Sequence, residues 1–330
     1  IYIYEGELAT DKPSTPTYTY KKVTRYLGDN NIYIDVAPQV ADYITNVENG
    51  VLKDKAVFLE SEAVTTYSGG TLEQSFTYVA LNGYNLHAEG VNHQPSNDLL
   101  ISNRHISVLK GKAIELPFYK TGDNYTIEFR KYNTILQTET ITAIETANTN
   151  DIIENVIYPN AQDINNIRVL NISNGEETFI DVDVVSECIY EPVKVTFVNR
   201  HGVLQSMYFY KVSKEKITVT SDDYNKSVLN ESVLNGIPVL GYSPVEHNKK
   251  TYNKQATKSI ELNTGYIPED NNVLIEELMA SESVWLTIND VIKPVNLSTK
   301  SLELMTRVND NLIKYKLDFD YSFNEIQNIR

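Results

Sequence analysis

The side chains able to do chemistry are few and scattered. Histidines stand at His87, His93, His105, His201 and His247, and none belongs to an H-E-x-x-H or H-x-H unit. His87 and His93 flank a polar loop, which could hold a metal only with ligands from elsewhere; a solvated pair is the plainer reading. Cys188, the one cysteine, has Ser186, Glu187 and Ile189 for neighbours. A nucleophilic thiolate needs a cation or a helix end beside it, so a structural cysteine is expected. No G-x-S-x-G elbow, no G-x-x-x-x-G-K-[ST] loop and no strand-linked G-x-G-x-x-G occurs.

Paired carboxylates are the minimum equipment of a glycan hydrolase. Asp181 with Asp183, and Asp318 with Asp320, each share one side of a predicted strand and alternate with Val182 or Phe319. Acids facing water and apolar residues facing a core give that pattern. Glu276-Glu277 reads as the wet face of a helix, and Asn309-Asp310-Asn311 as a tight turn, since no D-x-[DN]-x-[DN]-G calcium loop is present. Met207-Tyr208-Phe209-Tyr210 would be a sugar-stacking platform if exposed, but a strand following the Gly202 turn should turn one side to the core. The residues therefore nominate no catalytic group, no cofactor-binding group and no metal ligand, and no cofactor is expected.

The elements that position these side chains are mostly strands. Period-two alternation runs through Thr17-Tyr18-Thr19-Tyr20, Asn31 to Val36, Tyr125 to Phe129, Glu139 to Ile144 and Phe179 to Val185. Turn signals lie between them at Gly69-Gly70, Asn82-Gly83, Gly122-Asp123-Asn124 and Ser173-Asn174-Gly175. Two stretches have helical spacing. Pro38 to Ile44 places Val40, Tyr43 and Ile44 on one face, and Pro268-Glu269-Asp270 leads into a helix over 269–280 carrying Leu274, Ile275, Leu278 and Met279. Gly265 is expected at positive φ before that helix, and Asn199-Arg200-His201-Gly202 as a turn between strands. Polar loops near residue 100 and near Tyr190-Glu191-Pro192 divide the chain into 1–100, an N-terminal β domain; 101–190, a central sandwich of immunoglobulin or fibronectin-III type; and 191–330, a β-rich domain with the helix. The fold class is mainly β, a multi-domain sandwich-type architecture with a C-terminal α+β unit carrying one helix.

Composition excludes more than it selects. The 330 residues carry 29 basic and 44 acidic side chains, a net −15. Such a chain is poorly suited to gripping phosphate backbones through a broad basic face, so no nucleic acid is expected as partner. One cysteine rules out an internal disulfide framework, and no apolar run reaches the roughly 20 residues of a membrane helix. The 34 asparagines suit left-handed turns. The 23 tyrosines, spread along strand faces, suit extended protein contacts, because Tyr offers a large rigid surface with a polar tip. Ile1-Tyr2-Ile3-Tyr4 reads as a strand already under way, so a processed start or a missing beginning is expected.

Four segments of the C-terminal part carry a resemblance: Val195 to Lys211 (VTFVNRHGVLQSMYFYK), Ser259 to Glu269 (SIELNTGYIPE), Ile275 to Leu286 (IEELMASESVWL) and Val308 to Arg330 (VNDNLIKYKLDFDYSFNEIQNIR). With Tyr33 to Ile44 (YIDVAPQVADYI), they resemble virion structural proteins of tailed bacteriophages, from the tail, collar or baseplate region. The likeness covers residues 191–330 and, more loosely, the first 50; the middle has no counterpart in it. It is a likeness of strands and turns, without catalytic residues to transfer. It implies a non-enzymatic subunit of a symmetric assembly around the tail axis, a tail adaptor that contacts identical subunits and other tail, connector or fibre proteins. Such a chain is made in the bacterial host cytoplasm, resides in the virion and does not insert into membranes. Two other classes stay open: a carbohydrate-binding or adhesin β module, and a tail-associated glycan hydrolase using acids such as Asp181 or Glu277.

Overall fold

Strand formation dominates, as the period-two pattern requires. A computed structural model of the chain describes residues 2–5, 15–16, 18–21, 36–67, 69–90, 98–120, 123–142, 153–187, 189–304 and 312–326. Cys188, His93, the alternation at Asn31 to Asp35 and the Asn309-Asp310-Asn311 turn lie outside the described residues.

The N-terminal part is a four-stranded antiparallel sheet in the order Tyr18–Thr19, Tyr2–Glu5, Val57–Tyr67, Gly70–Ala80. Its core is small: Val40, Ile44, Val57 and Leu59, with Tyr18 and Tyr43 packed against them. The helix read from Pro38 to Ile44 is only Ala37–Ala41. Beyond it the backbone tightens, Tyr43 N–H donating to Val40 O at 3.0 Å and Ile44 N–H to Ala41 O at 3.2 Å. These i→i−3 bonds still bring Val40 and Ile44 to the sheet. The Val57–Ala80 hairpin runs in unbroken register from Val57↔Ala80 to Tyr67↔Gly70, and its outer half has no core beneath it.

The central part is a sandwich. One sheet has the order Thr134–Ile141, Tyr125–Lys131, Asn166–Asn171, Glu177–Val185, His105–Leu109, the last pair parallel. The other is the pair Ile114–Tyr119 and Ile153–Tyr158. Alternate residues from both sheets meet between them, among them Leu116, Phe118, Ile127, Phe129, Ile167 and Ile180, all fully buried. Ser173-Asn174-Gly175 closes the Asn166–Asn171/Glu177–Val185 hairpin, with Gly175 at φ +76°.

The C-terminal part is a seven-stranded antiparallel sheet in the order Leu204–Phe209, Val193–Val198, Val284–Ile288, Val291–Leu297, Lys316–Ile326, Lys249–Asn263, Lys214–Asn225. One face is apolar. Val195, Phe197, Phe209, Leu262, Leu286, Leu317 and Phe319 line it, and Leu274, Ile275 and Leu278 of the helix Asn272–Ala280 cover it. A 3₁₀ turn over Glu269–Asn271 leads into that helix, so helical structure spans the predicted 269–280. Gly265 has φ +74°, as its position before the helix demanded. Asp318 and Asp320 point outward between buried Leu317, Phe319 and Tyr321.

From this sheet the strands Lys214–Asn225 and Lys249–Asn263 run out as a two-stranded arm tipped by the hairpin Leu229–Leu234/Ile237–Tyr242. Asn235 and Gly236, both at positive φ, turn that hairpin. Every residue of Lys214–Asn225 is exposed, and no residue from 212 to 255 joins a core cluster. The body and the arm should therefore answer differently to truncation. Leu286→Ala, at the sheet centre, is expected to cost about 2–5 kcal/mol. Leu240→Ala, at the arm tip, should change stability by less than about 0.5 kcal/mol. Urea unfolding followed by Trp285 fluorescence would measure both; equal losses would contradict a coreless arm.

Candidate functional site

The acids named from the sequence do not assemble into a hydrolytic pair. Asp181 and Asp183 lie exposed on one side of Glu177–Val185, with Val182 buried between them. Asp181 accepts from Asn166 Nδ2 at 3.3 Å, and Asp183 meets His105 Nε2 at 2.8 Å. Parallel pairing of the first and last sandwich strands makes that second contact, a long-range product of topology. An aspartate-oriented histidine becomes a nucleophilic device only with a hydroxyl or thiol at its other ring nitrogen. Among the described residues none hydrogen-bonds there. Nor do three or more His, Cys, Asp or Glu side chains among the described residues converge as metal ligands would. His87 and His247 are exposed.

The tyrosines of the supposed platform are turned inward. Met207 and Phe209 enter the C-terminal core, Tyr210 is buried, and Tyr208 packs against the sandwich core. Tyr208 and Tyr210 have ring centroids 6.0 Å apart. Burial pushes the Tyr208 hydroxyl up to about 12, and the Tyr210 hydroxyl further in the same direction.

What the fold does concentrate is a polar joint around the turn between Val193–Val198 and Leu204–Phe209. Asn199, fully buried, uses its whole side-chain amide. Nδ2 donates to Leu100 O at 2.8 Å and to Gln205 Oε1 at 2.9 Å, while Oδ1 accepts from the backbone N–H groups of His201 and Val203. From Gln205 the network continues to Asn103 Oδ1 at 3.2 Å, and from Asn103 Nδ2 to Asn271 Oδ1 at 2.8 Å, at the foot of the helix. Sandwich, sheet and helix are thus tied by side-chain amides that leave few unmet donors.

Glu277 sits in the same joint. It is the correction to the wet-face reading: Glu276 is exposed, but Glu277 is 4% exposed. Its Oε2 accepts from the Ser102 hydroxyl and from Arg200 N–H, and its Oε1 is buried without a hydrogen-bond partner. Burial pushes its carboxyl up from the usual range, with Ser102 and Arg200 only partly opposing. Helical geometry held the signal, since Glu277 is three residues on from Leu274 and beside Leu278, at the edge of the apolar arc.

The N-terminal part docks on this turn by close backbone approach. Tyr84 N–H donates to Arg200 O at 2.9 Å. A Cβ on Gly83 would lie 2.6 Å from Arg200 O, and one on Gly202 would lie 2.7 Å from the Asn82 backbone. Asn82-Gly83, read from the sequence as a turn, is a bend whose glycine serves this contact. A second tie comes from Asp54. Its Oδ1 accepts from Leu204 N–H at 2.6 Å and its Oδ2 from Asn155 Nδ2 at 2.9 Å, linking all three parts. Burial pushes the Asp54 carboxyl up as well.

Beside Asp54 a cleft of about 660 Å³ opens between the three parts. Its floor is the polar face of the C-terminal sheet, with Lys194, Thr196, Ser206 and Tyr208, and Lys112 and Glu115 of the sandwich stand on one wall. Asp54 has both oxygens engaged by protein donors, so it acts as a clamp. The arrangement joins the three parts through hydrogen bonds from Asp54 and Asn199. No protein-family model matches the chain, and no curated protein matches it.

Two outcomes follow from the joint. Gly83→Ala, at a position of ordinary φ, tests the close approach alone and should cost about 1–3 kcal/mol, with faster proteolysis after residue 80. Unchanged stability and cleavage would remove the contact from the joint. Glu277 tests the buried carboxyl. Its folded pKa lies above the unfolded 4.5, so the folded state loses stability as pH rises from about 4.5 through the raised value. Glu277→Gln keeps an acceptor for Ser102 and Arg200 and removes that slope. The wild type should therefore lose ground to the variant as pH rises above about 4.5, measured as urea midpoints across a pH series; parallel midpoints would show that Glu277 is not shifted.

Proposed function

We propose that the chain is a non-enzymatic structural subunit of a tailed-phage virion, placed in a symmetric assembly at the tail, collar or baseplate. The observation that carries the reading is the arm over residues 214–255. It presents Ile217, Val219, Leu229, Val233, Leu240 and Tyr242 to solvent, with no core of its own. An isolated two-stranded hairpin is marginal in water, and contiguous exposed apolar surface marks contact sites. Such an arm makes sense on a subunit whose neighbours cover it. The resemblance of residues 195–211, 259–269, 275–286 and 308–330 to phage tail, collar and baseplate proteins supplies the kind of assembly, and the rigid joint suits a load-bearing part.

The chain's partners on this reading are identical subunits and other tail, connector or fibre proteins. Gradient-purified virions of the encoding phage should contain the chain in fixed stoichiometry to the major tail proteins, by quantitative peptide mass spectrometry. Abundance in the lysate with absence from the particles would end the proposal.

A further inference from the structure

We infer that the strand Gly70–Ala80 pairs antiparallel with the same strand of a second copy, about a two-fold axis, so that two four-stranded sheets become one of eight. The inference goes beyond the virion reading and does not depend on it. Among the described residues this strand is the edge of the N-terminal sheet. Ser61 Oγ donates to Phe76 O at 3.5 Å, so the even-numbered residues turn their backbone polar groups toward Val57–Tyr67. Residues 71, 73, 75, 77 and 79 turn theirs to the open side, because the two directions alternate along an antiparallel strand. A row of outward N–H and C=O groups is a template for another strand, which fixes the backbone of the occupant before its side chains. The other terminal strands of eight residues or more, Thr134–Ile141 and Lys214–Asn225, each carry a bulge, and the second adds Lys214, Lys216, Asp222 and Asp223. At the arm tip, Pro238 takes the place of a donor in Ile237–Tyr242. Gly70–Ala80 has no bulge, no proline and one charge, Glu73.

The strand is complementary to itself. Centred on Ser75, two-fold pairing sets Ser75 opposite Ser75 of the second copy, Gln74 opposite its Phe76 and Leu72 opposite its Tyr78, and uses the whole strand. Odd residues then meet odd residues, so the open row is satisfied by about ten backbone hydrogen bonds, the usual complement of a protein interface. Leu72, Phe76 and Tyr78 share one face and are 52, 47 and 52% exposed in the single chain. Pairing brings the six side chains of two copies into one cross-strand cluster, with aliphatic against aromatic groups. The acids stay out of it. Glu60, Glu62 and Glu73 lie on the opposite face, and the two Glu73 residues stand four positions apart along the strands, roughly 13 Å. No like charges are opposed across the axis. Because the same surface serves both members, the contact is isologous and closes at a dimer.

Substitutions at Ser75 of the full chain test this by sedimentation velocity across a concentration series, with circular dichroism to check that each variant is folded. The Ser75 N–H turns outward, so Ser75→Pro keeps the ladder of the hairpin and removes a donor at the dimer axis. Ser75→Lys and Ser75→Glu each set like charges directly opposite one another across that axis. The wild type should form a dimer as its concentration rises. Ser75→Pro should weaken that dimer about tenfold or more, and the Lys and Glu variants alone roughly threefold or more. An equimolar mixture of the Lys and Glu variants should dimerise more tightly than either alone, since opposite charges then meet at the axis. A wild type that stays monomeric at its highest soluble concentration overturns the pairing. So does a dimer that Ser75→Pro leaves unchanged, which would place the contact on the arm or another surface, and so does a mixture no tighter than its separate components. The virion reading is decided separately, by the presence of the chain in particles.

Discussion

The three parts of this chain are held in one arrangement by the turn from Asn199 to Val203. Backbone meets backbone there without intervening side chains, because Gly83 and Gly202 leave no Cβ in a gap under 3 Å. Asn199 closes the turn with its own amide and at the same time holds the chain entering the sandwich at Leu100. Shifting the sandwich against the C-terminal part would strand several buried amides at once. Each stranded donor or acceptor costs about 1–3 kcal/mol, so the joint behaves as a unit.

A buried carboxyl, Glu277, and a half-buried one, Asp54, sit at the edges of this joint, and both are raised by desolvation. Their hydrogen bonds run to other parts of the chain: Glu277 to Ser102 and Arg200, Asp54 to Leu204 and Asn155. Buried polar groups of this kind add less net stability than geometry, since removing a partner costs more than the pair gains. Their effect is on how the parts are oriented. The arm stands in contrast. It has strand register and a well-formed turn but no buried face, so its own cross-strand pairing is all that supports it within the chain.

Much of the fold was legible in the residues. Alternation placed the sandwich strands Tyr125–Lys131 and Glu177–Val185 and the end of Thr134–Ile141, Pro268-Glu269-Asp270 placed the helix entry, and Ser173-Asn174-Gly175 and Asn199 to Gly202 placed turns, because local sterics and a period of two or 3.6 act over a few residues. Asparagine was only half legible. Asn49, Asn235, Asn253 and Asn289 take positive φ as turn chemistry implies. Asn46, Asn103, Asn171, Asn199 and Asn271 are instead buried. An amide that suits a left-handed turn suits an interior hydrogen-bond network equally well, and nothing local distinguishes the two.

By itself, then, the sequence determined the strand-dominated class, the position of the main helix and the outward face of Asp318 and Asp320, all consequences of short-range periodicity. Only the tertiary structure decided that Glu277 is buried while Glu276 is wet, that His105 meets Asp183, and that the alternating Ile217 and Val219 run out on an arm with nothing beneath them. Those outcomes depend on which elements lie opposite one another. A residue's burial belongs to the pair of surfaces that meet, and the spacing along one strand or helix records only one member of that pair.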